Sequence, residues 1–112
     1  MDILYRSTKL EKEFNELKRL VRGHGKRQGE LIALRLVQLR AAPTLATIST
    51  LPPIRCHELI GNRQGQLSID LTHPFRLIFE PANNPIPTKE DGGLNWSAVT
   101  AIRILGVEDT HG

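Results

Sequence analysis

The sequence contains little cysteine and few aromatic side chains. Its single cysteine cannot form an internal disulfide, which is typical of proteins from a reducing cytosol. Three Phe, one Tyr and one Trp are too few to predict an RNA-binding surface that stacks bases on aromatic rings. No apolar run approaches the roughly 18 to 20 residues of a membrane span, and the first residues lack the apolar segment of a signal peptide. We therefore expect a cytoplasmic protein with no membrane partner.

Metal-ligand spacing is also missing from the sequence. The four histidines and Cys56 form no H-x-x-x-H or C-x-x-C pair, so we expect neither a metal site nor another cofactor. The 112 residues are 39% hydrophobic, which predicts one folded domain over residues 1–112. A net charge of +3 is as compatible with a polyanionic partner as with an ordinary basic surface.

The first half of the chain has helical periodicity after a short predicted strand at residues 2–5. Thr8 and Glu11 have the spacing of a capping box, which predicts that a helix begins there. Its apolar stripe should end at the Gly-His-Gly segment 23–25, because glycine readily adopts the left-handed C-cap conformation. A second helix is predicted from about 26 to 41, and the two helices would form a helical hairpin.

The second half has the two-residue periodicity of β-strands. We predict strands at 54–60, 67–72, 75–80 and 99–107, the last of them interior, with a long loop at 81–98. The fold class that follows is α+β: an N-terminal strand, a helical hairpin, then an antiparallel β-meander with the helices packed on one face. The other face of the sheet would remain open.

Residues 51–80 carry a resemblance to a known family. The hairpin LIGNRQG, the strands QLSIDL and HPFRLIFE, and a terminal Asp-Thr-His together resemble the HigB-like (plasmid maintenance killer) toxins. These belong to the RelE/ParE superfamily of type II toxin–antitoxin systems. The ordered set of motifs carries the resemblance, since no single tripeptide is diagnostic.

The resemblance implies a RelE-like fold and a ribosome-dependent endonuclease that cleaves messenger RNA. Its partners would be the ribosome, messenger RNA and a cognate helix-turn-helix antitoxin. In such cleavage a ribose 2′-hydroxyl attacks the neighbouring phosphate, so the enzyme supplies a base, a cation and an acid, and needs no metal.

Three residues are candidates for this chemistry. Arg76 alternates with the apolar residues of its strand, so it should reach the open face and hold the scissile phosphate; the alternative is a cross-strand ion pair with Asp70 or Glu80. His111 matches the family's terminal histidine and is the best acid–base candidate, or else belongs to a frayed tail. Asp109 could orient it or bind a base edge, or be a solvated carboxylate.

Further candidates lie in the first hairpin and between the helices. His57 could assist proton transfer, although an ordinary strand histidine is the simpler interpretation. Asn62 and Arg63 could contact ribosomal RNA or serve only the turn. Lys26 and Arg27 belong to a basic helical patch that would suit ribosome docking, or is only a solvated face.

Two positions depart from the family pattern. Ile60 stands where active relatives commonly have lysine before the hairpin glycine, and Thr110 replaces the tyrosine of the terminal motif. Neither can supply the missing cation or phenol. Two alternatives therefore stay open: a non-nucleolytic toxin that inhibits DNA gyrase, as in the ParE branch, or an inactive relative that binds its antitoxin and acts as a co-repressor.

Overall fold

The computed structural model describes residues 1–109, in which three helices pack on a five-stranded sheet. The elements are β1 Asp2–Tyr5, α1 Thr8–Phe14, α2 Leu17–His24, α3 Lys26–Ala41, β2 His57–Glu58, β3 Leu67–Asp70, β4 Phe75–Pro81 and β5 Ala101–Asp109. The strand order is β1-β5-β4-β3-β2, with β1 parallel to β5 and every other neighbouring pair antiparallel. This confirms the predicted α+β class and the meander from β2 to β5.

The hydrophobic core lies between the helices and one face of the sheet. Alternate strand residues supply the sheet side, and the helices supply Leu20, Ile32, Leu36 and Leu39. The sheet residues are Leu67, Ile69, Leu77, Phe79, Ile102 and Ile104, all at most 1% exposed. Phe75 was expected with them but is 40% exposed, because it stands at the first position of its strand. We call the opposite side of the sheet the open face.

The predicted first helix is in fact two helices. The chain becomes extended at Glu16, after Asn15 has ended α1. The side-chain oxygen of Asn15 is within hydrogen-bond distance of the Tyr5 hydroxyl (3.5 Å) and an Arg40 guanidinium nitrogen (3.4 Å), which stabilises the break. The predicted Thr8 cap is also wrong, because Ser7 is the N-cap and its hydroxyl accepts from the Leu10 amide.

A tight crossing joins α2 and α3. Helix α2 continues through Gly23 and His24, so Gly25 alone connects the two helices, with φ at 85°. Gly29 is buried, and a Cβ at this position would meet the backbone of Leu20 and Val21 at 2.7 to 2.9 Å. The absent side chain therefore allows α3 to lie directly against the α2 backbone.

The strand predicted at 54–60 is reduced to the two residues of β2. Arg55 adopts φ 49°, which interrupts the extended backbone just before it. The segment still runs beside β3, since the Ile54 carbonyl accepts from the Asp70 amide and the Leu59 amide donates to the Gln66 carbonyl. The segment lies where the strand was predicted, but only two of its residues have regular strand geometry.

The long loop and the last strand complete the sheet. The loop contains one isolated bridge, Thr88 to Leu94, and its Trp96 indole donates to a Glu58 carboxylate oxygen at 2.9 Å. Strand β5 begins and ends two residues later than predicted and is interior, between β4 and β1. Across residues 1–109, none of the helices has the length and hydropathy that a bilayer crossing requires.

Candidate functional site

A row of alternating charges crosses the open face near the end of β3. We call it the charged row; its members in order are Arg55, Asp70, Arg76, Glu108 and Arg63. Asp70 lies between two arginines, with its carboxylate oxygens 3.6 Å from Arg55 Nε and 3.5 Å from Arg76 Nε. Arg76 is directly opposite Asp70 on β3 and Glu108 on β5 in the strand register. Three cations and two anions leave one net positive charge.

For Arg76 the structure shows the cross-strand ion pair with Asp70 that the sequence offered as the alternative to phosphate binding. Its side chain is on the open face, as expected, and it also forms the ion pair with Asp70. The pair is long, and the buried Asp70 Oδ1 accepts no hydrogen bond from it or from any other group in residues 1–109. Glu80, the other partner considered, binds Arg103 at 3.0 Å instead. The Arg76 guanidinium is thus held by charge and remains 28% exposed.

His57 lies beside Arg76 with its ring orientation fixed. Its Nδ1 is 3.0 Å from the Arg55 carbonyl oxygen, and its Nε2 is 3.5 Å from Arg76 Nη1. Because a guanidinium can only donate, Nε2 must accept and Nδ1 must carry the proton. The Ser68 hydroxyl, 3.4 Å from Nε2, lies on the same face. The imidazole Nε2 is therefore directed at the Arg76 guanidinium.

Cys56, the neighbour of His57, is excluded from the chemistry. It is 1% exposed, and burial, reinforced by the charge of Glu58, raises the pKa of its thiol from 9.0 to about 12. The thiol therefore stays protonated at neutral pH and is a poor nucleophile. Within residues 1–109, no three His, Cys, Asp or Glu side chains come together in a way that could hold a metal ion.

Arg63 reaches from the β2–β3 hairpin to β5 at the other end of the charged row. Its two terminal nitrogens donate to the two carboxylate oxygens of Glu108 at 3.0 and 2.9 Å, and its Nε donates to Gln66 at 2.8 Å. Strands β3 and β4 lie between the two partners, so the hairpin is tied across the open face. In the same hairpin, Asn62 is exposed, and Ile60 is 87% exposed.

The remaining predicted site residues are placed differently. Asp109 pairs with Phe75 in the sheet register, which puts it on the face opposite to Arg76. His111 lies outside the described residues. Lys26 and Arg27 are exposed in the first turn of α3, where the neighbouring Gln28 accepts hydrogen bonds from Thr72 at the β3–β4 end of the sheet.

Two grooves show how the helical hairpin and the sheet meet at this end. A groove of about 700 Å³ between α3 and the β3–β4 turn is lined by Arg27, Leu34 and His73, among others. A smaller cleft of about 250 Å³ is lined by His24 of α2 and Glu108 of β5. Neither groove brings Lys26 or Arg27 together with a residue of the charged row.

Sequence reasoning missed the acidic half of the site. Asp70 was considered only as an alternative partner of Arg76, and Glu108 was not considered. The alternation of Ser68 and Asp70 with buried neighbours was the available signal, because it places both on the face of Arg76. For Glu108 no local signal existed, since its partner Arg63 is 45 residues away.

The geometry can be compared with known proteins. No protein-family model matches the sequence, and no curated protein is significantly similar to it. Among solved structures, the fold is similar to that of a YoeB/ParE toxin from Agrobacterium tumefaciens, with a TM-score of 0.57 and 12% sequence identity. The similarity covers 99% of this chain and 100% of that one. The chain therefore shares the fold of that YoeB/ParE toxin.

Proposed function

We propose that this protein is the toxin of a type II toxin–antitoxin pair and cleaves messenger RNA on the ribosome. The observation that carries the proposal is the contact between His57 Nε2 and the Arg76 guanidinium on the open face. Cleavage by a 2′-hydroxyl needs a base at that hydroxyl and a cation at the adjacent phosphate, so the two groups must lie close together. The superfamily fold and the HigB-like motifs in residues 51–80 support the same assignment.

The proposed reaction uses the substrate's own nucleophile. His57 Nε2 takes the proton of the 2′-hydroxyl, whose oxygen attacks the phosphorus while Arg76 balances the charge that builds on the phosphate oxygens. The bond to the 5′-oxygen breaks, leaving a 2′,3′-cyclic phosphate, and the departing oxygen takes a proton. His111 remains the candidate acid for that last transfer.

The partners follow from the same proposal. The ribosome would be engaged through phosphate contacts of Lys26 and Arg27, since a few cations suffice on a dense phosphate lattice, and the hairpin residues Asn62 and Arg63 would contact RNA. A cognate helix-turn-helix antitoxin would neutralise the toxin, and both would act in the cytoplasm. Ile60 cannot supply the cation that active relatives commonly have at that position, so the proposal assigns this role to Arg76.

The test adds the purified protein to a translation extract and maps new 5′ ends on a reporter message. We expect codon-positioned cuts that are reduced about 100-fold or more in His57→Gln and in Arg76→Gln, the scale of a lost base or charge stabiliser. His111→Ala tests the proposed acid in the same assay.

Arg103→Gln is the matched control. Arg103 is also an arginine on the open face with a carboxylate partner, and its 36% exposure resembles the 28% of Arg76, but the proposed reaction gives it no role. Cuts that persist in this control and vanish in Arg76→Gln support the proposal. Growth arrest with no cuts but with defects in DNA supercoiling would contradict it and favour gyrase inhibition.

A further inference from the structure

Glu108 holds Arg63 in the geometry with which arginine usually binds phosphate. The two parallel N–H···O bonds, 3.0 and 2.9 Å, form the fork that suits a carboxylate and a phosphate equally well. Glu108 is also directly opposite Arg76 in the strand register and on the same face, so its side chain is a neighbour of both arginines. The carboxylate of Glu108 is therefore an anion of the protein itself that already occupies this position.

We propose that Arg63 and Arg76 form a second phosphate site, which Glu108 occupies in the free protein and an RNA backbone phosphate occupies in the complex. This inference rests on the proposed function, because it extends the site from the scissile phosphate to a neighbouring one. The incoming phosphate displaces the Glu108 carboxylate, and the hairpin loop that carries Arg63 is then held by RNA instead of by β5.

Two features of the contact support an exchangeable site. The Arg63 and Glu108 side chains are 34% and 43% exposed, so a ligand can reach them from solvent. The Nε of Arg63 donates to Gln66 at 2.8 Å, which orients the guanidinium independently of Glu108. Removal of the carboxylate therefore leaves the cation in place. Arg35 provides the contrast, because it is 4% exposed and donates to main-chain carbonyls that no ligand could replace.

The chain offers a matched control for the removal of charge. Glu80 is on the same face of β4 and binds Arg103 at 3.0 Å, with side-chain exposures of 34% and 36%. Glu80→Gln and Glu108→Gln each remove one negative charge and one partly exposed ion pair from the open face. Only Glu108→Gln removes the anion that Arg63 binds.

The experiment titrates inorganic phosphate into the full chain at constant ionic strength and follows the arginine Nε–H signals by NMR. We expect Glu108→Gln to bind phosphate about fivefold more tightly than wild type, the scale of one partly exposed ion pair. Glu80→Gln should change the affinity less than twofold. Adding Arg63→Gln to Glu108→Gln should abolish the gain.

The outcomes separate this inference from the proposed function. Equal tightening in Glu108→Gln and Glu80→Gln would overturn the phosphate site, since net charge alone would explain it, and so would a gain that survives Arg63→Gln. If the phosphate titration overturned the second site while wild type still made codon-positioned cuts, the proposed nuclease activity would be supported and the second site rejected. If Glu108→Gln bound phosphate more tightly as expected but wild type made no cuts in the translation extract, the phosphate site would be supported and the nuclease activity rejected.

Discussion

The crossing of α2 and α3 at Gly29 makes a specific prediction about stability. In Gly29→Ala, the new methyl group would lie 2.7 Å from the Val21 nitrogen and 2.8 to 2.9 Å from the Leu20 carbonyl group. These are backbone atoms, which cannot rotate away. The helices must separate by about 0.7 Å to restore the 3.4 Å of ordinary contact.

The net cost follows from two opposing effects. Overpacking against rigid backbone costs about 3 kcal/mol, while alanine gains about 1 kcal/mol over glycine in helix propensity. We therefore expect Gly29→Ala to lower the free energy of unfolding by about 2 kcal/mol, and the melting temperature by about 8 °C for a chain of this size. Circular dichroism at 222 nm during thermal and urea unfolding measures both.

Gly23→Ala is the control for this prediction. Gly23 is also helical, but a Cβ there would meet only the carboxylate end of the flexible Glu13 side chain, at 3.1 Å. The propensity gain should therefore dominate, and stability should rise by about 0.5 to 1 kcal/mol. If the two variants were equally stable, the close crossing of the helices would be refuted.

Three further predictions concern individual side chains. The pKa of the Cys56 thiol is raised from 9.0 to about 12 in the folded state, so its contribution to stability is complete below pH 9. That contribution is lost as the pH rises from 9 to 12, by about 1.4 kcal/mol per pH unit. In urea unfolding, the difference in unfolding free energy between wild type and Cys56→Ala should therefore shrink over this range, and a constant difference would contradict the shift. Ser7→Ala should cost about 1 kcal/mol by removing the α1 cap, while Thr8→Ala should cost much less, and the opposite ranking in thermal melts would restore the Thr8 cap. Arg35→Met should cost about 3 kcal/mol, because two main-chain carbonyl oxygens lose a buried donor; a variant as stable as wild type in urea would show that water replaces those bonds.

Elements whose pattern is local were predictable from the sequence. Helix α3 has the predicted bounds, and the alternation in β3 and β4 placed Arg76 on the open face correctly. The break between α1 and α2 was not predictable, since Asn15 is held by Tyr5 and Arg40, which are far from it in the chain. The parallel pairing of β1 with β5 likewise has no local signature.

The candidate site also combines features with a local sequence pattern and features that depend on distant contacts. The histidine and the arginine were identified by type and motif, whereas their contact depends on the register that sets His57 beside Ser68 and Asp70 beside Arg76. The Arg63–Glu108 pair depends on the hairpin folding over the sheet. Sequence therefore indicates which groups are chemically capable, and tertiary structure determines which of them meet.

The parallel pairing of β1 with β5 bears on how the protein is made. Residues 2–5 are synthesised about a hundred residues before residues 101–104, which are their strand partner within the described residues 1–109. Strand β4 also lacks its main neighbour until then. Contacts so distant in sequence form late and slowly. A nascent chain therefore cannot assemble the charged row, which includes Glu108, until β5 has emerged, so any activity that needs this row starts only after nearly all of the described domain has been synthesised.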